Sequence, residues 1–281
     1  MHLTMLLLAG GLALGVHGLW RPRVGSWSDR WHWALGSFLF PPVLLLTTAC
    51  ALLWMGPHGA MVGRWGGWLS YGLSWLLMGW GAIAGLSQLS TAWQSWRQVR
   101  TYRAIALGAR QGRLLETDLP FSAQIGFWRS ELVISQGLLD MLDPEHLEAV
   151  LTHEAGHAHY RDTFWFFWLG WLRRLTAWLP RTEALWQELL ALRELRADHW
   201  AAQQVDRLAL AESLLAVVSA PLHYAEDLCA AFSCSAPPNR LQERIEALLS
   251  NTEERQQTSL WQVGLWLGFA LLPLMAVPFH H

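Results

Sequence analysis

Four stretches of this chain, residues 3–20, 34–55, 67–88 and 260–279, run without a single Asp, Glu, Lys or Arg. An α-helix needs about 20 mostly apolar residues to cross the hydrocarbon core of a bilayer. Lipid offers no partners for backbone N–H and C=O groups, so such stretches are expected to be helices. Only 15% of the residues are charged, against roughly 25% in soluble domains. The 20 tryptophans fit a membrane–water interface, where an apolar ring with a polar N–H is at home. The first stretch reads as a span rather than a cleaved signal peptide, because no basic residue precedes it and Arg21 and Arg23 follow it. Pro41 and Pro42 are expected to kink the second span or delay its start.

The basic residues are all Arg, and their placement sets an orientation. Arg21, Arg23 and Arg30 follow the first stretch. The next loop, 56–66, holds only Arg64, and Arg97, Arg100, Arg103, Arg110 and Arg113 follow the third stretch. Cytoplasmic loops collect Arg and Lys. The N-terminus is therefore expected outside, and the long polar segment before the fourth span inside. The expected organisation is three spans within 1–90, a cytoplasmic domain at 91–258 and a fourth span within 259–281. The net charge of -2 argues against a nucleic-acid partner. Cys50, Cys229 and Cys234 have no paired metal spacing; Cys229 and Cys234 read as packed thiols.

The polar segment contains "HEAGH", with His153 and His157 four residues apart. On a helix both imidazoles share one face and can grip one metal ion. Glu154 then stands beside the metal, where it can take a proton from an activated water. Asp143 as N-cap, Pro144 at the first helical position and the early Glu145 and Glu148 predict the helix start. A third ligand is expected from "RTEALWQELLALRELRADHW", read as a second helix capped by Thr182. Glu194 and Asp198 are four apart, so Glu194 can complete the ligand set and Asp198 can orient a ligand histidine. The alternatives are that both acids pair with Arg193 and Arg196 on a solvated face, or that Glu188 is the ligand. His159 falls off the His153/His157 face and reads as a surface or outer residue.

Directly after "HEAGH" comes the apolar run "FWFFWLGWLRRLTAWLP". His157 and Glu194 must lie on one side of the membrane to share an ion, and two crossings between them need about 40 residues. Only 36 intervene. The segment 163–180 is therefore expected to lie in the interface, with Arg173 and Arg174 in its middle rather than at mid-bilayer. Upstream, "ELVIS" (131–135) reads as a strand paired with one around 121–127, bent at Gly126. Such an edge can hold an extended peptide, or serve as a plain structural hairpin.

Taken together, "SELVIS", "LTHEAGHAHYRD", "ELRAD" and "PNRLQERIEALL" resemble the membrane gluzincin zinc metallopeptidases. HtpX-type and CAAX-prenyl endopeptidases carry the same order of motifs but place spans between zinc helix and third ligand. The layout is more similar to the BlaR/MecR-type antirepressor peptidases, with three spans, a cytoplasmic zinc domain and a fourth span. The resemblance implies a mainly α integral membrane protein with four transmembrane helices and an inserted α+β zincin-like domain. It implies one Zn²⁺ per chain held by His153, His157 and Glu194, with Glu154 as base and Asp198 behind the ligands. Arg240 or Arg244 would approach the substrate carbonyl or brace the fold; bracing is the favoured reading. The antibiotic sensors of that family continue into an extracellular ligand-binding domain, whereas this chain stops at His281, so direct β-lactam sensing is not expected.

The expected function is a membrane-bound zinc endopeptidase acting on protein or peptide substrates at the cytoplasmic face. One alternative is a signalling protease that cuts a transcription repressor or anti-sigma factor. The other is a non-catalytic membrane scaffold with a structural zinc, against which the intact Glu154 argues.

Overall fold

Three helices reach the length of a bilayer: α1 (His2–Leu19), α2 (Trp27–Met55) and α3 (Arg64–Thr101). The computed structural model describes residues 2–58, 64–218, 240–250 and 260–279. Among these, three helices are long and apolar enough to cross a membrane, which supports a membrane protein. Helix α2 starts at Ser26, whose hydroxyl accepts from the Asp29 N–H at 3.1 Å, and runs on through Pro41 and Pro42. The expected delay at the two prolines does not occur. Hydroxyls inside these helices bond back one turn: Thr48 to the Leu44 carbonyl at 2.7 Å, Ser70 to Gly66 at 2.8 Å and Ser74 to Ser70 at 2.8 Å. Each hydroxyl is thereby satisfied within its own helix, as an apolar surround requires.

The chain forms two compact units. One comprises Met1–Leu86, Trp171–Leu189 and Arg255–His281; the other comprises Ser87–Gly170 and Leu190–Glu254. The second unit holds a mixed sheet of β1 (Arg103–Leu107), β2 (Arg110–Leu115), β3 (Ser122–Ile125) and β4 (Glu131–Ser135), in the order β1-β2-β4-β3. The expected pairing of β3 with β4 is present and antiparallel, with Ala123 opposite Val133. The β1–β2 hairpin and the parallel pairing of β2 with β4 were not anticipated. Apolar residues run unbroken through the middle of β4 because both of its faces are covered. Leu132 and Ile134 pack with Leu138, Val150 and Leu151, and Val133 packs with Phe121, Ile125, Phe167, Ala92 and Val99.

Helix α4 (Gln136–Met141) follows β4, and α5 (Pro144–Tyr160) follows α4. Asp143 caps α5 as expected, accepting from the N–H groups of Glu145 at 3.1 Å and His146 at 3.0 Å. Arg161 closes α5 in the left-handed conformation, and α6 (Asp162–Leu175) starts at once. Helices α7 (Thr182–Ala201), α8 (Arg207–Val218) and α9 (Leu241–Leu249) complete the set. Ala149, Ala201, Leu210, Leu214 and Leu248 form a core shared by α5, α7, α8 and α9. Cys229 and Cys234 lie outside the described residues.

In the first unit Thr182 does not cap α7. Its hydroxyl donates backwards to the carbonyls of Thr176 at 2.7 Å and Leu179 at 3.1 Å. Helix α6 has 14 residues, about 21 Å of rise, which falls short of the ~30 Å hydrocarbon core. The segment 260–279, expected as one spanning helix, is instead α10 (Leu260–Ala270), α11 (Leu272–Met275) and a 3₁₀ turn at Val277–Phe279. Pro273 cannot donate to the carbonyl four residues back, and the helix breaks before it. The Thr47 hydroxyl of α2 donates to the Ala270 carbonyl at 2.5 Å, satisfying an acceptor at the end of α10.

The turn from β3 to β4 depends on Gly126, at φ 143, where a Cβ would clash with the Arg129 carbonyl oxygen. Only glycine adopts this backbone readily. Gly126→Ala is expected to cost about 1–3 kcal/mol. The check is the thermal midpoint of the purified protein in detergent, which should fall; an unchanged midpoint would show that the turn adapts.

Candidate metal centre

The site forms where α7 packs against α5 at Gly156. A Cβ on Gly156 would lie 3.2 Å from Cε3 of Trp200 and 3.4 Å from Cα of Ala197. The glycine between the two histidines thus lets α7 pack hard against the α5 face that carries them. His153 and His157, one turn apart, bring their Nε2 atoms to 3.1 Å. Glu194 Oε2 lies 3.4 Å from His153 Nε2, and its Oε1 lies 3.6 Å from His157 Nε2. One ligand atom from each of the three falls within 4.8 Å of the others, so the group could hold a metal ion.

The donor set and its spacing fit such an ion. Bonds of about 2.0–2.2 Å in tetrahedral geometry place neighbouring donors about 3.3 Å apart. Here the two Nε2 atoms stand 3.1 Å apart, and the Glu194 carboxylate faces both imidazoles, with Oε2 3.4 Å from His153 and Oε1 3.6 Å from His157. The far side of each ring is backed by a carboxylate. His157 Nδ1 lies 2.8 Å from Asp162 Oδ2, and His153 Nδ1 lies 2.8 Å from Asp198 Oδ1. The second approach is off the ring's N–H axis, so it acts as a charge contact more than a well-formed hydrogen bond. Both arrangements turn Nε2 toward the centre.

Three arginines hold the carboxylates. Arg193 donates from Nε at 2.9 Å and Nη2 at 2.6 Å to Glu194 Oε1, with its guanidinium 4.9 Å over the Phe166 ring. Arg244 of α9 makes a two-pronged contact with Asp198, 2.6 Å to Oδ2 and 2.8 Å to Oδ1, and its Nη1 lies 3.4 Å from Glu194 Oε2. Arg196 donates to Asp162 and covers the Tyr160 ring. Burial opposes ionisation of Glu194, but Arg193 and then the two histidines outweigh it and hold the carboxyl well below its ordinary range. Asp198 is likewise held low against burial, chiefly by Arg244. Burial disfavours a charged His157, yet Glu194 and Asp162 prevail and push it up to about 10. His153 is pushed up too, against burial, by Asp198 and Glu194.

Glu154 is buried next to the centre, and Ser122 of β3 donates to its Oε1 at 2.9 Å. The other residues weighed from the sequence go elsewhere. Glu188 pairs with Arg30 at 2.7 Å in the first unit, and Arg240 pairs with Glu243 at 2.7 Å along its own helix. His159 stacks on Trp200. Arg193 does pair with Glu194, but in the interior rather than on a solvated face. Asp162, Ser122 and the pairing of Arg244 with Asp198 were not read from the sequence. Asp162 had a local signal: an acid five residues past His157, where α5 ends and the chain turns back. Ser122 and Arg244 carried none, because their partners are 32 and 46 residues away.

Residues 121–179 match the model of peptidase family M48. No curated protein and no solved structure matches the chain. The matched stretch runs from the start of β3 to just before α7, so it contains His153, Glu154 and His157. It supports a metallopeptidase. Glu194 lies beyond it, and its part in the metal-binding group is read from the geometry.

A proton and a metal ion compete for these imidazoles. Without metal, His157 keeps its proton up to about pH 10, and that charge stabilises the fold fully below the ordinary 6.5. The stabilisation is lost as pH rises through the raised value. Ligation needs the neutral ring, so metal uptake should release at least one proton. The apparent dissociation constant should fall about tenfold per pH unit from 7 to 9 for each proton released. Chelator-buffered titrations at several pH values measure this. A constant independent of pH would remove His157 from the ligand set.

Proposed function

We propose that the chain is a membrane-bound zinc endopeptidase that hydrolyses peptide bonds of protein substrates at the cytoplasmic face. The observation that carries this reading is the convergence of His153, His157 and Glu194, with Glu154 buried beside them, inside and next to the stretch that matches peptidase family M48. Zinc, when bound there by the two histidines and Glu194, would act as a Lewis acid toward the scissile carbonyl and lower the pKa of water to about 7.

The protein's own groups supply the rest. Ser122 fixes Oε1 of Glu154, so Oε2 is assigned the proton taken from the attacking water. Glu154 then passes that proton to the leaving amine. Arg193 holds Glu194 charged, and Arg244 with Asp198 holds His153 in orientation. In this reading Arg244 has a bracing role, through its contacts with Asp198 and Glu194. The edge strand β3 lies beside α5 and offers main-chain groups to an extended substrate. The cytoplasmic placement rests on the arginine asymmetry. The interfacial placement of 163–180 rests on the 36-residue interval and on the short α6.

Glu154→Gln preserves shape and removes the base, so it should keep one zinc per chain and lose about 10²–10⁴-fold in hydrolysis. Glu194→Ala should lose the zinc as well. Elemental analysis measures the metal. Cleavage of casein or of the protein's own chain, blocked by a chelator and restored by zinc, measures the activity. Equal cleavage by wild type and Glu154→Gln would reject the peptidase, and full zinc in Glu194→Ala would reject the ligand assignment. A structural zinc would leave Glu154→Gln without phenotype.

A further inference from the structure

The second unit carries a cluster of aromatic side chains that the metal centre does not use. Phe127 is its hub, with ring centroids 5.2 Å from Phe164, 4.8 Å from Phe167 and 6.1 Å from Trp168. Trp128, the next residue of the β3–β4 turn, lies 5.1 Å from Phe164 and is 76% exposed. Trp165 and Trp168 on the same side of α6 are 57% and 42% exposed. A turn that ends in a tryptophan against two exposed tryptophans of an amphipathic helix makes an apolar surface that water does not favour.

The same unit shows where this surface sits along the membrane-spanning direction. Phe121, Phe127 and Phe167 pack against Ala92 and Val99 of α3, and the Gln88 side chain donates to the Phe167 carbonyl at 2.6 Å. This part of α3 lies just past its apolar stretch and bears the marks of an interface. The guanidiniums of Arg97 and Arg100 each lie 4.6 Å over the rings of Trp93 and Trp96. Tryptophan and arginine together at the end of a span mark the headgroup level. The aromatic cluster is fastened to α3 at that level. Arg129, next to Trp128 and exposed, adds a positive charge suited to lipid phosphates.

We propose that the β3–β4 turn is a membrane wedge: Trp128, with Trp165 and Trp168, inserts into the interfacial layer of the bilayer. The turn thereby becomes a membrane contact in addition to α6, and the occupant of the patch is lipid. The inference rests on α3 spanning the bilayer, and its test needs no peptidase activity, so it can fail while the enzymatic reading stands.

The test uses the full chain with Cys50, Cys229 and Cys234 replaced by Ser, in vesicles of phosphatidylethanolamine and phosphatidylglycerol. Nitroxide labels are attached at Trp128→Cys and, separately, at Trp165→Cys. The control is Asp140→Cys, exposed and past the opposite end of β4, a strand of five residues or about 16 Å. Collisions with lipid-soluble oxygen and with a water-soluble nickel chelate are compared. The oxygen-to-nickel ratio should be several-fold higher at positions 128 and 165 than at position 140. Nickel access at position 128 equal to the control removes the turn from the membrane, whatever position 165 shows. Shielding of position 128 from both agents means that protein covers the patch, and it overturns the proposal. Substitution of a side chain as exposed as Trp128 removes little packing, and the Trp165 label reports independently on the α6 half.

Discussion

Two carboxylates, Glu194 and Asp198, stand one helical turn apart in the interior of the second unit, and the arrangement around them keeps both charged. A buried, unpaired carboxylate would take up a proton and cease to be a metal ligand. Arg193 and Arg244 prevent that, and each is itself anchored, Arg193 over Phe166 and Arg244 in the fork of Asp198. With Asp162 and Glu154 the centre gathers four carboxylates against three guanidiniums. One positive charge is then missing from the balance. Protons on the histidines, both of whose pKa values are pushed up, supply positive charge there, most firmly on His157. A divalent cation bound there would supply that charge with one to spare.

The helix that carries "HEAGH" was legible because its determinants are local. Asp143, Pro144 and the four-residue histidine spacing act within a few turns, and the structure shows that helix from Pro144 to Tyr160. The β3–β4 hairpin was legible for the same reason, through the turn at Gly126. The hairpin of β1 and β2 was not. Its strands begin two residues after α3 ends and carry arginine at several positions, so no clean alternation marks them, and the parallel pairing with β4 is a tertiary choice. Thr182 misled because a hydroxyl near a helix start can satisfy the preceding turn as readily as the helix. Glu194 was singled out as the candidate third ligand from an acid pair at helical spacing. Its selection over Glu188 depends on Arg30, more than 150 residues away, which pairs with Glu188 instead.

In the first unit the limiting condition is the fate of backbone acceptors in an apolar surround. The break after Ala270 leaves a carbonyl without a partner in its own helix, and Thr47 meets it from α2. Apolar length alone cannot foresee such a break. The sequence measure registers twenty uncharged residues, while Pro273 divides them into two helices.

Strand β3 has four residues and lies at the edge of the sheet. Alternate residues of a strand turn their backbone groups to the same side, so such an edge offers at most two rungs of a ladder to a partner. Two rungs read very little of a side-chain sequence. They do require that the partner's own N–H and C=O groups be available, which a helix or a paired strand does not allow. If a substrate docks on this edge as proposed, selection would act on foldedness before it acts on residue identity: an unravelled segment would be admitted, and the same segment in its native structure passed over.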